Sequence, residues 1–173
     1  MARLTVARSI EFSASHRLPN VPTAHKCSRH HGHTYRVGAE VSGPIDSTLG
    51  WVVDFGIIDI ALRQMVHGPL DHRHLNEIEG LENPTSEVLA EWCAKRLVMT
   101  LEGIEGLRLT AVVVHEGNGG WARWEPESVE GDHARHLRAA WEAIDLDPAG
   151  RSPDLSAHLA RNVDCTLCCP RRM

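Results

Sequence analysis

The chain has 173 residues, 42% of them hydrophobic, and a net charge of -5 at pH 7, which is enough for one domain with a hydrophobic core. So mild a charge argues against nucleic acid or an anionic membrane as the main partner, and no apolar run approaches the length of a transmembrane helix. The first residues lack the apolar core of a signal peptide, so we expect a cytoplasmic protein whose five cysteines are thiols, metal ligands or catalytic groups rather than disulfides.

Two N-terminal segments alternate apolar and polar residues, as strands with one buried face do. They predict strands over residues 3–15 and 33–42, joined by a loop over 16–31 that is long enough to suggest a function. Residues 51–53 are predicted to form a short return strand.

Two helices are predicted next. Asp54 is suited to cap the first helix, which Gly68-Pro69 should end. The second helix begins near residues 83–85, with Pro84 in its first turn.

Two more strands, over residues 107–115 and 121–124, flank a tight turn at 117–120. The predicted order is β-β-β-α-α-β-β, or ββ-αα-ββ if the short third strand is counted with the second. Because both helices fall together, they should cover one face of an antiparallel sheet in an α+β domain, which we assign to residues 1–125.

Residues 126–173 differ in character from this domain. One amphipathic helix is predicted around residues 137–144, followed by a tail that carries Cys165, Cys168 and Cys169. A single C-x-x-C pair is weak evidence for a metal site, so we expect plain thiols there. The sequence indicates no role for this segment.

Three histidines stand where the first two strands end and begin. His31 and His33 are two residues apart and point to the same face, and His16 closes the first strand. If the strands pair antiparallel, the three imidazoles converge, and three histidines with one open position are typical of a catalytic zinc site. The alternative is that His31 and His33 form an ordinary surface pair.

Cys27 lies in the loop between these strands, flanked by Lys26 and Arg29. It is open to three interpretations: a fourth zinc ligand, a packed thiol, or a base or nucleophile. We favour the base, because neighbouring cations and a metal ion lower the pKa of a thiol.

Asp71 and His72 follow the first helix. A carboxylate that orients an imidazole is a proton-transfer unit, although adjacent residues do not always touch. His74 competes with His72 for this role.

Glu116 ends a predicted strand and is either a solvated carboxylate or an acceptor for a guanidine-like edge, such as that of a pterin. Thr85 and Glu87 stand at a helix start, where the sequence alone favours them as cap residues.

Five stretches, taken in chain order, resemble the 6-pyruvoyltetrahydropterin synthase superfamily, and in particular its bacterial 6-carboxy-5,6,7,8-tetrahydropterin synthase branch. The resemblance covers about residues 4–125. The stretches are Phe12-Ser-Ala-Ser-His16, Cys27-Ser-Arg-His-His31-Gly-His33, Gly50-Trp-Val-Val-Asp54-Phe55, Leu70-Asp-His72-Arg-His-Leu-Asn76 and Glu82-Asn-Pro-Thr-Ser-Glu87.

The resemblance implies the tunnelling fold, or T-fold: a four-stranded antiparallel sheet with two helices on one face. It also implies a homo-oligomer, a hexamer built from two trimers, in which subunits join their sheets into a barrel and the pocket lies between subunits. No nucleic acid and no membrane partner are expected.

The resemblance further implies a role for each candidate residue. His16, His31 and His33 look like ligands of Zn²⁺, Cys27 like the catalytic thiol, and Asp71 and His72 like its proton-relay partners. Glu116 looks like the pterin anchor, with Thr85 and Glu87 lining the same pocket. The family usually has threonine after this glutamate, whereas this chain has Gly117.

The implied activity is that of a zinc-dependent lyase. It would convert 7,8-dihydroneopterin triphosphate to 6-carboxy-5,6,7,8-tetrahydropterin, releasing acetaldehyde and triphosphate, in the synthesis of 7-deazapurines such as queuosine. The alternatives are a 6-pyruvoyltetrahydropterin synthase, which only eliminates triphosphate, and a non-catalytic metal-binding protein of the same fold.

Overall fold

Four strands form one antiparallel sheet in a computed structural model that describes residues 3–126. They are β1 Arg3–His16, β2 His31–Pro44, β3 Arg108–Glu116 and β4 Gly120–Trp124, in that order across the sheet. The helices are α1 Phe55–Leu62, the single turn α2 Gly68–Leu70, and α3 Ser86–Leu101. Within the described range, no helix is both long and apolar enough to cross a membrane. The predicted helix at 137–144 and the three tail cysteines lie outside the described residues.

Alternation along the strands gives the sheet one apolar face, on which α1 packs against β1 and α3 packs against β3 and β4. The buried side chains of this face include Phe12, Tyr35, Val37, Ala39, Val41, Val112, Val114 and Ala122. Polar residues occupy the other face, where Arg123 forms an ion pair with Glu40 at 2.6 Å. The predicted α+β architecture, a four-stranded antiparallel sheet with two helices on one face, is confirmed.

The predicted return strand at residues 51–53 is wrong. Strand β2 already pairs with β1 along one edge and with β3 along the other, so it has no free edge for a further strand. The segment closes a loop, in which the Asp46 N–H donates to the Trp51 carbonyl at 2.8 Å. The Asp46 carboxylate also accepts the N–H groups of Thr48 and Leu49, each at 2.8 Å.

The predicted helix end at Gly68-Pro69 is also wrong. The chain passes from α1 through the π-helical segment Arg63–His67 into α2 and becomes extended only at Asp71, where ψ is 130°. Pro69 lies in the first turn of α2, where its fixed φ is compatible with the helix.

Gly43, near the end of β2, provides a test of the packing between the sheet and the loop that follows. A Cβ at this position would lie 2.9 Å from Val52 Cγ1 and 3.0 Å from Leu107 Cδ2. We therefore expect Gly43→Ala to lower the free energy of unfolding by about 1–3 kcal/mol, the usual cost of overpacking. Urea denaturation measures this, with Gly119→Ala as the control, because a Cβ at Gly119 meets no atom within 4 Å. Equal midpoints for the two variants would contradict the described packing.

Candidate metal centre

The strand register gathers four polar side chains at one corner of the apolar face. His16, the last residue of β1, pairs with His31, the first residue of β2, and His33 shares a face with His31. Tyr35 is next on that face and pairs with Glu116, the last residue of β3. Three imidazoles and one carboxylate therefore meet where these strands end.

Two backbone carbonyls determine which ring nitrogens carry protons. His16 Nδ1 lies 2.9 Å from the Pro84 carbonyl oxygen, and His31 Nδ1 lies 2.8 Å from that of Arg29. Since a carbonyl only accepts, each Nδ1 carries the proton and each Nε2 presents a lone pair. Metal-binding histidines are oriented by second partners in this way.

The Nε2 atoms and the carboxylate are spaced as ligands of one ion would be. His16 Nε2 lies 3.1 Å from His31 Nε2, and Glu116 Oε1 lies 2.8 Å from His33 Nε2 and 3.5 Å from His16 Nε2. Donors in a tetrahedron around Zn²⁺, at about 2.0–2.1 Å from it, are about 3.3 Å apart. One donor atom from each of the four residues lies within 4.8 Å of all the others, so this group can hold a metal ion.

The protonation states also suit a metal. Burial lowers the pKa of His33, against the opposing charge of Glu116, so the imidazole stays neutral. Ser86 Oγ donates a hydrogen bond to Glu116 at 2.6 Å, which stabilises the ionised carboxylate. Neutral imidazoles and an ionised carboxylate are the forms that bind metals.

Glu116, which is predicted to bind substrate, lies beside the three histidines. Its Oε2 accepts a hydrogen bond from Ser86 Oγ at 2.6 Å, and its Oε1 belongs to the donor group. Sequence reasoning did not single out Ser86 and did not place Glu116 beside the histidines. The position of Glu116 follows from its pairing with Tyr35, because Tyr35 shares a face of β2 with His31 and His33.

Cys27 is not a member of the donor group. It is half-buried in the 3-10 turn Lys26–Ser28, its N–H donates to His25 Nδ1 at 3.1 Å, and its carbonyl accepts from the Leu18 N–H at 2.8 Å. These bonds fix the backbone and leave the thiol free. The interpretation of Cys27 as a fourth zinc ligand therefore gains no support, and the catalytic role stays a prediction.

Asp71 and His72 do form a pair. His72 Nδ1 lies 2.8 Å from Asp71 Oδ2, whereas His74 lies beside Ser15 Oγ at 3.2 Å. The Ser13 N–H donates to Asp71 Oδ1 at 3.1 Å, which anchors the carboxylate to the outer edge of β1. Hydrogen bonding to His72, and then to the Ser13 N–H, lowers the pKa of Asp71. The pair can therefore hold and pass a proton.

The Asp71–His72 pair lies at the outer edge of β1 and outside the donor group. His72 borders an open groove of about 500 Å³. The other residues that line this groove are Ser13, Ala14, Ser15, Gly32, His33, Thr34 and Arg73. His33 therefore lies both at this groove and in the donor group. The exposed His72 is not itself a member of the cluster of three histidines and Glu116.

Thr85 and Glu87 act at the start of α3. Thr85 Oγ1 accepts the Val88 N–H at 3.3 Å as the N-cap, and Glu87 is exposed in the first turn, where a carboxylate stabilises the helix dipole. Pro84 precedes the cap instead of occupying the first turn, and its carbonyl holds His16. A role of Thr85 and Glu87 in substrate binding stays a prediction.

The sheet, the helices on one face and the cluster of three histidines and a glutamate define an α+β protein with a metal-binding corner at its strand ends. The sequence model of the 6-pyruvoyl tetrahydropterin synthase family matches residues 5–127, and the chain belongs to this family.

Individual relatives agree with this membership. The chain is 35% identical over 112 residues to a 6-carboxy-5,6,7,8-tetrahydropterin synthase of Synechocystis sp., an alignment that covers 62% of this chain and 84% of the relative. It is 34% identical over 104 residues to the protein of the same name from Bacillus subtilis, covering 57% and 68%. The solved structure of 6-pyruvoyl tetrahydropterin synthase from Caenorhabditis elegans superimposes with a TM-score of 0.64 at 25% identity, covering 72% of this chain and 96% of that one.

Proposed function

We propose that the chain is a zinc-dependent lyase acting on a pterin. It converts 7,8-dihydroneopterin triphosphate to 6-carboxy-5,6,7,8-tetrahydropterin and releases acetaldehyde and triphosphate, a step toward 7-deazapurines. It works as a homo-oligomer, in the arrangement of two trimers that the family resemblance implies.

One observation carries the proposal: His16, His31 and His33 each bring a donor atom to the same point. The Nδ1 atoms of His16 and His31 bond to backbone carbonyls, which leaves the Nε2 lone pair of each ring free. The buried Nε2 of His33 has no hydrogen-bond partner. Such a centre has a use in a family whose members act on pterins, and the Synechocystis and Bacillus relatives carry the name of this reaction. Nitrogen donors with a carboxylate favour Zn²⁺ over the oxygen-seeking Mg²⁺ and Ca²⁺.

The bound ion would act as a Lewis acid that makes the hydroxyl groups of the substrate side chain more acidic. The remaining work falls to residues of the chain. Cys27 removes a proton from a side-chain carbon, and its half-buried position keeps it accessible. His72 delivers and accepts protons, oriented through its Nδ1 by Asp71.

The exposed position of His72 favours an active site shared between subunits. His72 is 83% exposed and lies outside the donor group of its own chain. A second copy that brings its His72 to the donor group would complete the machinery. The pocket between subunits that the family resemblance implies has this property.

The second candidate function is that of a 6-pyruvoyl tetrahydropterin synthase. The matching structure from Caenorhabditis elegans carries that name, and a human relative, 36% identical over 81 residues, carries the name 6-pyruvoyl tetrahydrobiopterin synthase. The difference lies in the fate of the side chain, which this enzyme retains in full. A metal-binding protein without activity is the third candidate, and the intact Cys27, Asp71 and His72 argue against it.

Product analysis separates the three candidates. We expect the Zn²⁺-loaded protein, incubated with 7,8-dihydroneopterin triphosphate, to form 6-carboxytetrahydropterin together with one equivalent of acetaldehyde. Mass spectrometry of the pterin and a coupled alcohol dehydrogenase assay for acetaldehyde measure the two products. Protein treated with a chelator should lose the activity and regain it when Zn²⁺ is restored.

The other outcomes identify the alternatives. A product that keeps its three-carbon side chain, with triphosphate but no acetaldehyde released, would assign the 6-pyruvoyl reaction. Unchanged substrate in the presence of stoichiometric Zn²⁺ would indicate the non-catalytic protein.

A further inference from the structure

We propose that an open groove on the polar face of the sheet binds a small molecule through a di- or triphosphate group, with Arg36 as the main contact. The groove has a volume of about 450 Å³ and is lined by residues of β1, β2 and β3, among them Ser9, Arg36, Gly38, Glu40, Val113 and His115. We name it the Gly38 groove. None of its lining residues belongs to the donor group, so the inference does not depend on the function proposed above.

The strand register arranges the Gly38 groove in rows across the sheet. Gly38 pairs with Ser9 of β1 and with Val113 of β3, and these three residues form the middle row. Arg36 pairs with His115 in the next row. Since residues two apart on a strand share a face, the two rows lie side by side on the polar face.

The other charged residues that line the groove are already paired. Arg8 donates two hydrogen bonds of 2.8 Å to the carboxylate of Asp59 on α1. The carboxylate of Glu40 accepts two hydrogen bonds from Arg123, at 2.6 and 2.8 Å. These pairs cancel their own charges, so they neither attract nor repel an anion strongly.

Arg36 is different. It is exposed, and within residues 3–126 it forms no ion pair, although Glu11 lies opposite it on β1. A guanidinium presents a planar fork of N–H donors that matches the oxygens of a phosphate group. The Gly38 groove therefore has an uncommitted positive charge at one end.

Gly38 keeps the groove open, although the fold does not require glycine there. Its φ is not positive, and a Cβ would lie 3.6 Å from the Arg8 carbonyl oxygen and 3.7 Å from Ser9 Cβ, which are ordinary contact distances. Glycine inside a strand costs conformational entropy, and it often marks a place where a ligand approaches the backbone closely. The missing side chain leaves room for a bound molecule above the middle of the sheet.

The spread of donors favours a chain of phosphate groups. The Ser9 hydroxyl, the Arg36 guanidinium and the His115 imidazole stand on three adjacent strands, which are about 4.8 Å apart. A single carboxylate or phosphate cannot span them, whereas two or three linked phosphates can. The volume also lies within the range of about 300–1,000 Å³ that is typical of small-molecule sites. Such a group belongs either to a free polyphosphate or to a nucleotide.

Isothermal titration calorimetry of the full Zn²⁺-loaded chain with sodium tripolyphosphate tests the proposal. We expect saturable binding that Arg36→Gln weakens about tenfold or more, because hydrogen bonds between charged groups are the strong ones. Gly38→Val, which fills the groove, should weaken binding as much. Its urea midpoint should not fall, because valine favours strands. His31→Ala should bind as the wild type does, which excludes binding through an ion at the metal centre.

Arg63→Gln is the matched control, because it removes the same charge from another exposed arginine, in the helical segment after α1. It should leave the affinity unchanged. An equal loss in Arg63→Gln and Arg36→Gln would overturn the proposal, since general charge attraction would explain the binding. Wild-type affinity in both Arg36→Gln and Gly38→Val, or no binding by the wild type, would overturn it as well.

Titration with ATP distinguishes the two sources of the phosphate chain. If ATP binds more tightly than tripolyphosphate and Arg36→Gln weakens both, the ligand is a nucleotide. If tripolyphosphate binds more tightly with the same dependence on Arg36, the ligand is a free polyphosphate. Each result supports the site.

Discussion

Replacing His31 by alanine is expected to reduce turnover by about 10³-fold or more and to weaken Zn²⁺ binding strongly. His31 lies at the start of β2, where its Nδ1 is held by the Arg29 carbonyl and its Nε2 lies 3.1 Å from that of His16. Lewis-acid stabilisation of a transition state is worth several kcal/mol, and about 4 kcal/mol corresponds to a factor of about 10³ in rate. Steady-state turnover and metal titration of the same preparation measure both effects.

His30→Ala is the matched control for this experiment. His30 is adjacent in sequence and exposed, but its ring stacks on His74 at 4.4 Å between centroids and is not a member of the donor group. We expect near wild-type metal binding and turnover from it. If His31→Ala keeps its metal and its rate while its circular dichroism stays native, the three histidines are not the metal centre.

The strands of the fold could be predicted because each carries its own signal. Alternation in β1 and β2 reflects a sheet with one buried face, and a glycine-rich turn marks the hairpin of β3 and β4. The return strand at residues 51–53 failed because pairing is a property of the whole sheet: β3, more than 60 positions further along the chain than β2, occupies the edge that the short segment would need. No local pattern contains that information.

The same distinction between local and long-range information applies to the candidate site. His31 and His33 could be placed together from their spacing, and His16 from the predicted pairing of two neighbouring strands. Glu116 joins them only through the long-range register of β2 and β3. The contact of His72 with Asp71 depends on a backbone conformation of positive φ, 57° at His72, which few residues adopt and which sequence patterns do not predict.

Because His72 is separate from the donor group, we expect a second large effect: two variants that are each inactive should restore activity when they are mixed. His72→Asn should lower turnover about 10²- to 10⁴-fold, the usual contribution of a general acid or base, and asparagine tolerates positive φ, so the turn should survive. Metal binding should be unchanged, because His72 is not a member of the donor group. His31→Ala fails for the opposite reason: it keeps its His72 and lacks a metal ligand.

If each active site takes its metal ligands from one subunit and His72 from another, mixed oligomers of these two variants must regain activity. In a random one-to-one mixture, about a quarter of the sites combine an intact donor group with an intact His72, and activity should approach that fraction of wild type. Co-expression with two different tags, followed by purification on both, isolates the mixed species. The control is His31→Ala mixed with His33→Ala, which damages the donor group in every subunit and should stay inactive. Absence of recovery in the first mixture would show that His72 serves the donor group of its own chain, because every site in the mixture would then lack either a metal ligand or His72.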